Sequence, residues 1–104
     1  MNEDHCVAWD DLQDTVAPSG VIKRAIEGAG VSLVRVSVPA GTRADRHSHP
    51  HEQFVQVVTG SGRLTTEQGE RAFRSGSVFH FPANAWHSAF FETATVLVET
   101  NLHP

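Results

Sequence analysis

Between Gly41 and Gly60 the chain reads GTRADRHSHPHEQFVQVVTG, in which His47, His49 and His51 are followed at once by Glu52 and Gln53. Three of the seven histidines therefore fall within five residues. Neutral imidazole is the commonest protein ligand for a divalent metal, so this clustering points to metal binding before any other chemistry. A second segment, GSVFHFPANAWHS from Gly76 to Ser88, supplies His87 behind a proline turn.

Residues two apart on an extended chain project from the same face. His47 and His49 thus present two ring nitrogens side by side, and Gln53 shares their parity. His87 has to arrive from another strand, which only a closed or folded sheet can bring across. Four protein ligands of this kind leave one or two positions open on the metal, as catalysis requires. A buried Gln53 satisfied by backbone groups is the competing reading of that residue. His51 has the same parity but follows Pro50, which distorts an extended strand; it either lines the mouth as an acid or base or lies on the surface. Glu52, of opposite parity, reads as an external salt-bridge partner. His80 stands just before Pro82 and can face either side. Glu99, on the last strand, is the best-placed remaining carboxylate for a general base, although an edge strand would leave it at the surface. His51, His80 and Glu99 are accordingly the candidate acid–base residues, and His103, near the end of the chain, is given no role.

The elements that must position these groups read as strands. Val31 to Val38 alternates, with Val34, Val36 and Val38 on one face and Leu33, Arg35 and Ser37 on the other. Further short runs cover Val21–Ile26, Phe54–Thr59, Arg63–Glu67, Glu70–Arg74, Val78–Phe81, Trp86–Phe91 and Ala94–Thr100, punctuated by Gly or Pro turns. No window keeps helical spacing. Eight to ten short strands bury enough surface only when the sheet closes or packs face to face, so the expectation is an all-β sandwich or barrel. Residues 1–20 are acidic and weakly patterned and read either as an N-terminal arm anchored by Trp9 and Leu12 or as a partly ordered tail; residues 21–104 are expected to form the barrel.

With 104 residues, the chain has length for one core and not two. Its 39% apolar and 19% charged residues are those of a folded globular domain. Eight scattered Lys and Arg under a net charge of -4 argue against phosphate-backbone contacts, so no nucleic acid is expected. The single Cys6 forms no internal disulfide, and the acidic start lacks the features of a secretion signal. No run has the length to span a bilayer. The expectation from these features is a cytoplasmic protein without a membrane partner. Phe54, Phe79, Phe81, Trp86, Phe90 and Phe91 exceed what a small barrel interior holds, so some are expected to cover the interface of a homodimer.

The two histidine segments resemble the paired motifs of the cupin family. Gly41, His47, His49, Gln53 and Gly60 match G-x5-H-x-H-x3,4-E-x6-G, with Gln in place of the usual Glu. Gly76, Pro82 and His87 match G-x5-P-x-G-x2-H-x3-N, with Asn84 for the glycine and Phe91 for the asparagine. Asn tolerates the left-handed backbone that a glycine would supply there. The resemblance covers roughly Val31 to Thr100. It implies a small jelly-roll β-barrel holding one metal ion, here on His47, His49, Gln53 and His87. The run HSHPHEQ is similar to that of small single-domain cupins of uronate and pectin breakdown, in which a metal helps ring-open an unsaturated sugar acid. The tail VLVETNLHP does not carry the Asp-x-Phe-x-Pro pattern of those relatives.

Three imidazoles and a neutral amide leave a divalent ion with its full charge, where Glu would lower it. The more positive site is the stronger Lewis acid and disfavours oxidation of the metal. The leading expectation is therefore a lyase, isomerase or tautomerase acting on a small, oxygen-rich carbonyl substrate. The alternatives are an iron- or nickel-dependent dioxygenase and a cupin that binds a small molecule without chemistry. Imidazole and amide ligands accept manganese, iron, nickel, cobalt or zinc alike.

Overall fold

The computed structural model describes residues 5–103. Residues 1–4 of the expected arm, and position 104 of the expected barrel, lie outside the described residues. A short 3-10 turn at Trp9–Asp11 precedes ten strands, β1 (Thr15–Val16), β2 (Ile22–Glu27), β3 (Val31–Val38), β4 (Arg43–His47), β5 (Glu52–Thr59), β6 (Ser61–Thr66), β7 (Gly69–Arg74), β8 (Val78–Phe81), β9 (His87–Phe91) and β10 (Thr95–Leu102). No α-helix occurs among the described residues, and none is long and apolar enough to cross a membrane.

All pairings are antiparallel and form two sheets. The six-stranded sheet runs β1-β2-β3-β10-β5-β8 and the four-stranded sheet runs β4-β9-β6-β7. From β3 onward the chain passes repeatedly from one sheet to the other, so their inner faces enclose a common interior, in the manner of a jelly roll. The alternation read along Val31–Val38 is observed: Ser32, Val36 and Val38 are buried while Val31 is exposed. Val55, Val57 and Leu97 extend that apolar floor, and Phe73, Phe79, Phe81 and Phe91 fill the space above it. Phe73 packs edge-on against Phe79 and Phe91, with ring centroids 5.3 and 5.7 Å away.

Two strands were not legible. β1 lies within the arm and pairs with β2 through Thr15↔Lys23 and Val16↔Ile22. β4, RADRH, carries four charged or titratable residues in five and has no strand-like composition; it is held by the ladder to β9. The last strand also corrects an expectation. β10 is not an edge but the centre of the larger sheet, hydrogen-bonded to β3 on one side and β5 on the other.

Gly60 shows why that motif position has no side chain. Its φ is +108°, and a Cβ there would stand 2.6 Å from the Cα of Thr95. Asn84 is the only non-glycine residue with positive φ among those described, at 68°. It occupies the motif's glycine position and takes the left-handed backbone that position demands.

Candidate metal centre

His47 and His87 are cross-strand partners on β4 and β9. A bulge lies between Ala44 and His47, where the register shifts by one residue. Ala44 faces the interior, so an unbroken alternation would turn Arg46 inward and His47 out. The extra residue reverses that and aims His47 into the barrel beside the buried His87. Arg46 is left outside, its guanidinium 3.6 Å over the Trp86 ring.

His49 lies just past β4 in the loop before β5. Its carbonyl accepts the Asn84 N–H at 2.6 Å, which ties the histidine loop to the turn preceding His87. The two segments singled out in the sequence are thus joined through the residue with the left-handed backbone. One ligand atom from each of His47, His49 and His87 can be chosen so that all lie within 4.8 Å of one another.

The ring orientations suit a cation. The His47 Nδ1 sits 2.7 Å from the Asp45 carbonyl and the His87 Nδ1 3.3 Å from the Ala85 carbonyl. A carbonyl only accepts, so each Nδ1 donates its proton and each Nε2 keeps a free lone pair. Backbone carbonyls fixing the tautomer in this way are the usual support behind a metal-binding histidine. Phe81 stacks flat on His87, centroids 3.8 Å apart and planes 2° from parallel. Burial, and then His47, push the His87 pKa down to about 4, the Ala85 carbonyl opposing them. Burial likewise lowers that of His49, with His47, His51 and Lys23 adding to it. Both rings therefore stay neutral at physiological pH, the form in which imidazole binds a metal.

Gln53 comes from the other sheet, on β5, and is only 4% exposed. With the three histidines it lines a cavity of about 390 Å³ that runs through the barrel interior between walls of Val36, Val55, Leu64, Phe79 and Leu97. Its Nε2 donates to Asn101 Oδ1 at 2.8 Å. The donor set fits a divalent metal: one ring nitrogen from each of three histidines within 4.8 Å of the others, with an amide lining the same cavity.

The acid–base candidates separate. Glu99 lines the cavity from the middle of β10. Burial raises its pKa above the usual carboxylate range, with Lys23 and then His47 and His51 pulling it back. His80 does not reach the cavity. It stands on the outer side of β8, between the inward Phe79 and Phe81, where it donates to Glu52 at 2.6 Å and stacks on Phe54. That contact gives Glu52 its external partner and removes His80 from the site. His51 sits behind His49, its ring stacked 5.0 Å away, with Nε2 3.1 Å from Asn101 Oδ1.

Sequence reasoning missed Lys23, Phe81, Ser32, Asn101 and His103. Ser32 and Asn101 share the inward parity of Val34 and Glu99, and that parity was the available signal. His103, set aside as terminal, contacts Ser32 Oγ at 3.2 Å.

A cupin domain model matches residues 34–100, well over half of the chain. The protein is a cupin. No curated protein sequence matches it significantly. Among solved structures, this cupin is similar to an RmlC-like cupin from Shewanella frigidimarina, with a TM-score of 0.89 and 18% identity over 98% of this chain and 93% of that one. KdgF from Halomonas sp. follows at 0.83 and 19% identity, with 91% of each chain covered. Ectoine synthase from P. lautus also reaches 0.83, at 18% identity over 95% of this chain and 78% of that one. At such identities the likeness concerns the fold.

Proposed function

We propose that this cupin holds one divalent metal ion on His47, His49, His87 and Gln53, and that it is an enzyme for a small, oxygen-rich carbonyl compound, as lyase, isomerase or tautomerase. The supporting observation is the arrangement of the three histidines, with ring nitrogens within 4.8 Å and two Nδ1 protons committed to backbone carbonyls. When bound, the metal supplies Lewis acidity toward a carbonyl or enediol oxygen. The chain's own residues supply the rest. Glu99, desolvated in the cavity wall, holds a proton more readily than an ordinary carboxylate. Lys23 lines the same cavity and has no carboxylate within ion-pair distance among the described residues, so it favours an anionic substrate. The Val, Leu and Phe walls exclude water from the reacting group.

The motif resemblance makes an unsaturated uronate the first substrate to assay, by loss of its ultraviolet absorbance on ring opening. Elemental analysis of the purified protein is expected to find about one divalent metal per chain. Absence of any metal, or full activity in His49→Ala, overturns the reading. Oxygen uptake with a diol substrate and Fe(II) would instead establish a dioxygenase.

A further inference from the structure

We propose that Asn101 is a positioning residue that turns the amide oxygen of Gln53 toward the three histidines; this rests on the metal-binding reading. Gln53 and Asn101 are cross-strand partners on β5 and β10. The Gln53 amide is planar, so committing Nε2 to Asn101 Oδ1 at 2.8 Å leaves Oε1 on the opposite side. No protein donor reaches Oε1 among the described residues, and it is not a sealed, unpaired atom. With Gln53 4% exposed and lining the cavity, Oε1 is left for a ligand there.

Asn101 is itself oriented from behind. Its Nδ2 donates to Ser32 Oγ at 3.3 Å, and Ser32 is its partner on β3. Ser32 Oγ in turn meets His103 Nε2 at 3.2 Å. On the other side Asn101 Oδ1 takes a second donor, His51 Nε2, at 3.1 Å. Gln53, Asn101 and Ser32 are all at least nine-tenths buried, so the Gln53–Asn101 and Asn101–Ser32 bonds are made where water does not substitute for them. Reversing Gln53 alone would set two carbonyl oxygens against each other and aim an NH2 group at the cation site.

The same contact accounts for Gln where the cupin motif has Glu. A carboxylate has no N–H to give to Asn101 Oδ1, so Asn101 and Gln53 are a matched pair.

Titration with Co(II), followed by calorimetry and by the visible absorption of the bound ion, tests this. Asn101→Leu removes the acceptor and should weaken Co(II) binding about 10- to 100-fold, the usual cost of an outer-shell partner. Asn101→Asp keeps the acceptor and should bind at least as tightly as the parent; it also serves if the leucine variant does not fold. In a Gln53→Ala background, Asn101→Leu should change the affinity no further. Parental affinity in Asn101→Leu, an Asn101→Asp variant as weak as the leucine variant, or additive losses in the double variant would each overturn the assignment. The metal-free protein decides separately: the Gln53 side-chain amide protons should exchange slowly in the parent and in Asn101→Asp, and fast in Asn101→Leu. Failure of the parent to bind Co(II) would thus sink the metal reading, while slow or fast amide exchange still settles the role of Asn101.

Discussion

His87 concentrates the chemistry of the site in one ring: stacked on Phe81, donating to a carbonyl, and neutral. If the proposed metal reading holds, its replacement by Ala removes a ligand rather than a support, so metal affinity should fall by more than the roughly 100-fold upper range for outer-shell losses, as read by isothermal titration. The depressed pKa also has a consequence for stability. The unfolded ring titrates near 6.5 and the folded ring at about 4. Between those values the unfolded chain binds the extra proton, so the stability contributed by neutral His87 is complete above pH 6.5 and is lost as the pH falls toward 4. Thermal unfolding of metal-free protein should show the decline, and His87→Phe should flatten it. Glu99 carries the opposite sign. Its raised folded pKa means that the charged carboxylate costs stability at neutral pH, so Glu99→Gln should raise the Tm of the metal-free protein at pH 7 to 8. That gain should vanish below the unfolded value of 4.5, where both states are protonated.

At the scale of the element, β4 is decisive and its bulge is the operative feature. Deleting Arg46 removes the extra residue and leaves His47 two positions past the inward Ala44, so His47 should still face the barrel and metal uptake should persist while the Arg46–Trp86 contact is lost. Asn84 offers a milder test. Alanine at φ 68° should cost about 1 kcal/mol in urea unfolding, and Asn84→Gly should cost nothing, since glycine has no Cβ to oppose that backbone. Because Asn84 N–H also holds the His49 carbonyl, a substitution that moves the turn should loosen metal binding as well as the fold.

For the molecule as a whole, the interior accommodates four of the six phenylalanines and leaves two outside. Phe90 lies under Arg43, the guanidinium 4.6 Å from the ring centroid, as Trp86 lies under Arg46. Phe54 is 37% exposed on the outer face of the six-stranded sheet, with Val58 at 51% and Val78 at 62%. These residues, on β5 and β8, surround the exposed Gln56, and that mixed but apolar-rich patch suits a two-fold pairing of the same surface on a second copy. Light scattering is expected to give a dimer, and Val78→Asp to shift it to monomer without loss of metal.

The alternating runs and Gly–Pro punctuation specified an all-β chain, because side-chain parity is a local property that survives without knowledge of the partners. The spacing of His47, His49 and His87 marked the same three residues that the fold brings together, since two short segments each needed only a local turn. Strand order was not readable. β10 is central although it comes last, and this turned Glu99 from an expected edge residue into a cavity wall. Nor was the approach of His47 to His87 through β4 readable, since a bulge fixed by pairing with β9 decides which way His47 points relative to Ala44. The Gln53–Asn101–Ser32–His103 chain of contacts joins residues up to 71 positions apart, and only the pairing of β3, β10 and β5 creates it. Local pattern determined which residues hold the chemistry; the register between distant strands decided which of them face one another.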